Sequence, residues 1–178
     1  MEPDNPLFLS VEGALIFAFN YSMTQSPRTP LASAIGHGSG GSNAGLFGID
    51  GAAQAGLILS AVSRLVPNQR SFIVVKYGRH MVECHNCGQS SPGAEWREAA
   101  MELTNIQELK GIPVQAKLMI VERTICNLRI DVKLSMKKFG VPERTFFRKI
   151  ANAREAFDRM ESQAINDLSG MISDCIKK

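Results

Sequence analysis

The chain has 178 residues, of which 44% are hydrophobic and 21% are charged, and its net charge is +3. These values exclude a disordered or fibrous protein, and the length allows one or two domains with a hydrophobic core. No run of roughly 20 apolar residues is present, so we expect no membrane span. The apolar segment Leu7 to Phe19 is interrupted by Glu12 and follows no basic segment. We therefore expect no secretory signal and a cytoplasmic protein.

The charges are distributed unevenly along the chain. Residues 1–60 contain one basic residue, Arg28, and four acidic ones, whereas residues 131–160 contain eight Lys/Arg and four Asp/Glu. A basic C-terminal part favours a polyanionic partner such as a nucleic acid, although many basic helices only face solvent.

The N-terminal third contains one apolar element and a glycine-rich segment. Ser10 to Tyr21 fits a short helix or a strand, and its periodicity does not decide between them. Residues 36–51 contain seven glycines with serine and asparagine, which predicts a linker or loop. No lysine follows these glycines in the GxxxxGK[ST] pattern, so this segment does not predict a phosphate-binding loop.

The remaining chain predicts a series of helices and no strand, because apolar residues recur every three or four positions. Gly78 is placed to stop one helix, and Pro92, Gly93, Gly111 and Pro113 bound others. The predicted helices are 56–65, 69–77, 94–109, 114–128, 131–139 and 142–167. We therefore expect a mainly α fold.

The segment from Asp131 to Phe157 has the pattern of a helix-turn-helix. Gly140 accepts the left-handed backbone conformation that a sharp turn needs, and Pro142 suits the first turn of the second helix. In that helix, Phe146, Ile150, Ala153 and Phe157 recur at steps of four, three and four, which predicts a buried stripe.

The opposite side of the second helix carries the candidate DNA-binding residues. Arg144 and Arg148 occupy N-terminal positions from which a recognition helix contacts base edges, and arginine can bind guanine through two hydrogen bonds. Lysines nearby could contact phosphates. The alternative is a helical hairpin whose arginines are only solvated. The full candidate set is Lys137, Lys138, Glu143, Arg144, Thr145, Phe147, Arg148, Lys149 and Arg154.

Two segments resemble the halves of sigma-factor region four. Gly140 to Phe157 is similar to its DNA-reading half, of the form GxSxxTVxxxLxRAxxxL, and Leu65 to Gly78 is similar to its first half, of the form LPxxxRxVxxLRY. Met136 and Pro142 depart from the residues usual in such motifs. The two segments are separated by about fifty residues, where a sigma factor has only a few.

An interrupted module of this kind, with a cysteine pair in the insertion and a glycine-rich N-terminal part, resembles the Q-type late-gene antiterminators of phages and prophages, in particular those that activate lysis. The resemblance implies a protein that binds DNA near a promoter, engages paused RNA polymerase with its sigma factor, and lets it pass terminators. It also implies a region near the nascent RNA at the exit channel. The implied organisation is an N-terminal segment (1–35), a linker (36–51), the first half-module (52–78), an insertion (79–130), the DNA-binding half (131–168) and a tail (169–178).

The sequence Cys84-His85-Asn86-Cys87 is the one CxxC motif of the chain. Cys84 and Cys87 are candidate zinc ligands, and His80 or His85 could join them. A structural zinc site needs four ligands, and no second CxxC is present, so a site without metal is the alternative. No nucleophile–base set, paired carboxylates or nucleotide loop is evident, and we expect no enzyme.

Overall fold

The computed structural model describes residues 7–24, 48–83, 88–129 and 131–173. Within these ranges the chain is mainly helical, which confirms the predicted fold class. The seven α-helices described there are α1 (Val11–Thr24), α2 (Gly48–Ser63), α3 (Pro67–Tyr77), α4 (Ala94–Leu103), α5 (Val114–Ile125), α6 (Val132–Phe139) and α7 (Glu143–Met171). No helix in these ranges has both the length and the apolar character needed to cross a bilayer.

The chain divides into two compact units. The first comprises residues 1–64 and 165–178, and the second comprises residues 65–164. Residues 52–64 and 65–78, which the sequence analysis grouped in one half-module, therefore belong to different units.

In the first unit, α1 packs against α2. The side chain of Ser10 starts α1 because its Oγ accepts a hydrogen bond from the amide of Gly13 at 3.1 Å, which satisfies an otherwise unpaired donor. Phe17 is buried between two other rings, with centroids 5.1 Å from Phe8 and 5.5 Å from Tyr21. This apolar segment is thus a helix rather than a strand.

The second helix of this unit starts earlier than predicted. Residues 48–51, assigned to the linker from their glycine content, form the first turn of α2. Ala55, Ile58, Ala61 and Val62 bury one side of α2, so packing overrides the weak helix propensity of the glycines. Residues 36–47 lie outside the described part of the chain.

The core of the second unit is built around α3. Phe72, Ile73, Val74 and Val75 are all buried, and α3 packs against α4 and α5. The carbonyl oxygen of Val75 accepts hydrogen bonds from the indole Nε1 of Trp96 at 3.1 Å and from the thiol of Cys126 at 3.7 Å. Since α3 ends two residues later, this carbonyl has no partner within the helix, and α4 and the end of α5 supply the partners.

Gly78 ends α3, as predicted, but by a different mechanism. Its φ is −74°, so it does not adopt the left-handed conformation of a glycine cap. A Cβ at this position would overlap the carbonyl oxygen of Val74, to which the Gly78 amide donates at 2.8 Å. Glycine is required here for close approach of the backbone.

The predicted helix 94–109 is interrupted. Helix α4 ends at Leu103, where the amide and hydroxyl of Thr104 both donate to the carbonyl of Met101, and a 3-10 turn follows at Gln107–Leu109. The predicted helix 114–128 also ends early, at Ile125. Asn127 then adopts a positive φ of 53°, which directs the chain away from the helical path.

Two short strands were missed by the sequence analysis. Strand β1 (Met81–Glu83) pairs antiparallel with β2 (Ser90–Pro92), with Val82 opposite Ser91. Three residues per strand are too few to produce a recognisable alternation of apolar and polar positions. Residues 84–87, which connect the strands in sequence, lie outside the described ranges.

Candidate nucleic-acid interface

Helices α6 and α7 are joined by three residues, Gly140, Val141 and Pro142. Gly140 has a φ of 64°, which confirms the predicted left-handed turn residue, and Val141 is buried. The carbonyl of Pro142 accepts a hydrogen bond from the amide of Phe146 at 2.9 Å. Pro142 therefore directly precedes α7 instead of forming its first helical residue.

The predicted apolar stripe of α7 is buried. Phe146, Ile150, Ala153 and Phe157 expose 7% or less of their surface. Since one side of the helix is fixed in the core, the opposite side must face outward.

The outward side of α7 carries two arginines in its first two turns. Arg144 and Arg148 are exposed, and neither has an ion-pair partner within the described residues. Phe147 lies between them in sequence with 47% of its surface exposed. Two unneutralised guanidinium groups and a protruding ring are suited to a polyanion that also offers flat apolar surfaces.

The other candidate DNA-binding residues differ in how far their side chains are exposed. Lys137, Lys138, Glu143 and Arg154 are exposed, whereas Thr145 is half-buried. The ammonium of Lys138 lies 5.7 Å from the centroid of the neighbouring Phe139 ring, so this side chain lies partly along its own helix.

Lys149 makes contacts that its sequence position did not predict. Its Nζ donates to the carbonyl oxygens of Glu108, within the 3-10 turn, at 2.8 Å and of Lys110, directly after the turn, at 2.7 Å. The guanidinium of Arg159 reaches the carboxylate of Glu108 at 3.5 Å. Lys149 thus anchors α7 to the insertion, and its charge is shared with protein carbonyls rather than left for a phosphate.

The two segments that resemble sigma-factor region four are in direct contact. The rings of Phe72 in α3 and Phe157 in α7 have centroids 6.1 Å apart, and each residue is only 2% exposed. One turn further along both helices, Lys76 forms an ion pair with Glu161. Residues 85 positions apart therefore meet across one helix–helix contact.

Sequence reasoning missed two exposed residues on the outward side of α7. Ala151 and Asn152 lie three and four positions after Arg148 and are both exposed. Helical spacing alone places them next to Arg148, so the signal was present in the sequence.

The predicted zinc ligands Cys84 and Cys87 lie outside the described residues, as does His85. No group of three or more His, Cys, Asp or Glu in the described ranges could hold a metal ion. His80 lies beside Trp96, with ring centroids 4.2 Å apart, and its Nε2 is buried without a hydrogen-bond partner in that part of the chain. Zinc binding stays a prediction of the CxxC motif.

Glu122 and Cys126, near the C-terminal end of α5, have shifted pKa values. Burial raises the pKa of the Glu122 carboxyl, and the charge of His80 partly offsets this effect. Burial, with a smaller contribution from Glu122, raises the pKa of the Cys126 thiol to about 11. The partly buried Cys126 is thus a protonated thiol that donates to the carbonyl of Val75.

No protein-family model and no curated protein matches the sequence.

Proposed function

We propose that the protein is a positive regulator of transcription that binds promoter-proximal DNA through α6 and α7 and keeps RNA polymerase competent to pass terminators. The observation that carries the DNA-binding step is the pair of exposed, unpaired arginines on α7, opposite a buried aromatic stripe. The packing of Phe72 on Phe157 supports the interrupted sigma-like module, because the two similar segments are neighbours despite their separation in sequence.

DNA binding would assign separate roles to the candidate residues. Arg144 and Arg148 would contact base edges, with Phe147 beside them, and Lys137, Lys138 and Arg154 would contact phosphates. Glu143, Thr145 and Lys149 flank this surface. The partners under this proposal are double-stranded DNA, RNA polymerase with its sigma factor, and nascent RNA at the exit channel, and the protein itself is not an enzyme.

A purified transcription reaction tests the proposal. The template carries the protein's own promoter region and a downstream terminator, and readthrough is measured with increasing protein. We expect readthrough to rise with wild type and to stay at the basal level with the variant Arg144→Ala/Arg148→Ala. Arg64→Ala removes an exposed arginine of the first unit and serves as the matched control. Unchanged termination with saturating wild type contradicts the proposal.

A simple DNA-binding activator or repressor is the second candidate, since the exposed arginines serve it equally well. The two differ after promoter escape. An antiterminator stays with the elongation complex, whereas a simple regulator is left behind at its site. Purified elongation complexes stalled downstream of the promoter, probed for bound protein, distinguish them.

A further inference from the structure

The exposed side of α7 changes in character along its length. Arg144, Arg148 and Asn152 follow one another at steps of four, so their Cα atoms are spaced by about 6 Å along one side of the helix. The exposed charged side chains further along α7 are mixed in sign, with Arg154 and Arg159 beside Glu155 and Asp158. Asn152 is thus the neutral polar member of a row that begins with two arginines.

Ala151, directly before Asn152 in the sequence, is also exposed. With no atom beyond Cβ, it leaves the helix backbone free to approach a surface closely at this point. The side chain of asparagine is short, so it can touch a base only where the helix comes this close. The exposure of Ala151 next to Asn152 thus provides the approach that Asn152 needs.

We propose that Asn152 is a specificity-determining residue that reads adenine in the major groove. This inference rests on the proposed function, since it assumes that α7 enters the groove. The carboxamide matches adenine because its oxygen accepts from N6 and its nitrogen donates to N7. Guanidinium groups of Arg144 and Arg148 match the O6 and N7 acceptors of guanine.

The spacing of these three residues along α7 limits the length of DNA that they can contact. Arg144 and Asn152 are separated by about 12 Å along the helix, and successive base pairs by about 3.4 Å, so the three contacts fall within about five base pairs. The recognised duplex therefore contains two guanines and an adenine inside such a window.

Selection from a randomised duplex library with the purified full chain tests the inference. We expect wild type to enrich sites with two guanines and an adenine within about five base pairs. For Asn152→Ala we expect the adenine preference alone to fall by about 5- to 150-fold, which corresponds to the 1–3 kcal/mol of one bidentate contact. The matched control is Gln163→Ala, an exposed amide three turns further along α7, which we expect to give the wild-type profile.

The possible results separate the inference from the function on which it rests. If wild type selects particular sequences and Asn152→Ala selects the same ones, the role of Asn152 is overturned, but DNA binding by the protein is not. Binding by wild type without any sequence preference, or no binding, overturns both. Equal affinity of wild type and Asn152→Ala for random duplex shows that the variant is folded, so a lost adenine preference then supports the inference.

Discussion

The contact between Phe72 and Phe157 gives a quantitative test of the packing between α3 and α7. We consider the variants Phe72→Leu and Phe157→Leu and the double variant. Both rings are 2% exposed, and replacement of such a ring by alanine costs about 3–5 kcal/mol. Leucine keeps part of the apolar volume, so each single variant should lower the free energy of unfolding by about 1–3 kcal/mol.

The double variant isolates the contact itself. With centroids 6.1 Å apart and planes inclined by 38°, the rings lie within the range of favourable aromatic pairs, which contribute about 0.5–1.5 kcal/mol beyond the burial of their area. The double variant should therefore be less destabilised than the sum of the single variants by about that amount.

Urea denaturation followed by circular dichroism measures these values. Phe147→Leu is the matched control, because it makes the same change in the same helix at a residue that is 47% exposed, and it should shift stability by no more than about 0.5 kcal/mol. Strict additivity of the two core variants would mean that the rings do not interact. The arrangement of α3 against α7 would then be wrong, and with it the main support for an interrupted module.

Three further predictions concern the turn, the anchor and the thiol. Gly140→Ala should destabilise the protein by about 1–2 kcal/mol, because the backbone φ at this position is 64°. Gly170→Ala, which lies within α7, should stabilise it by about 0.5–1 kcal/mol, because alanine favours the helix and its Cβ meets no atom within 4 Å. Thermal melts of both variants test this pair. Lys149→Met should lower unfolding free energy by about 1–3 kcal/mol in a manner nearly independent of salt, and a loss that disappears in high salt would contradict the carbonyl contacts. Alkylation of Cys126, followed by mass spectrometry, should stay slow at pH 8 and accelerate only as pH rises towards the thiol pKa of about 11. Rapid labelling of Cys126 in the folded protein at pH 8 would contradict the raised pKa.

The parts of the fold that were predictable depend on local periodicity. The stripe Phe146, Ile150, Ala153 and Phe157 repeats at the helical period, and burial follows because the amphipathic side must be covered. Gly140 was predictable for a local reason as well, since a turn between two helices often needs a residue without Cβ.

The parts that were not predictable depend on distant partners. Lys149 looked like a phosphate contact, but its hydrogen bonds are made to carbonyls 41 and 39 residues earlier in the chain. The break after Leu103 has a local cause instead, since Thr104 bonds back to the carbonyl of Met101 three residues earlier. The first turn of α2 forms from glycines that resemble a linker. A sequence pattern reports which residues share a helix side, and it does not report which distant group that side meets.

The hydrogen bonds to the carbonyl of Val75 indicate whether the segment 79–130 could be removed from the protein. If residues 79–130 were only a spacer between α3 and the DNA-binding half, their excision would leave the rest of the protein folded. Here Trp96 and Cys126, both within the insertion, complete the end of α3, and Lys149 and Arg159 fasten α7 to the same insertion. Excising residues 79–130 should therefore yield a protein that does not fold, because this segment supplies the contacts that complete the end of α3 and hold α7.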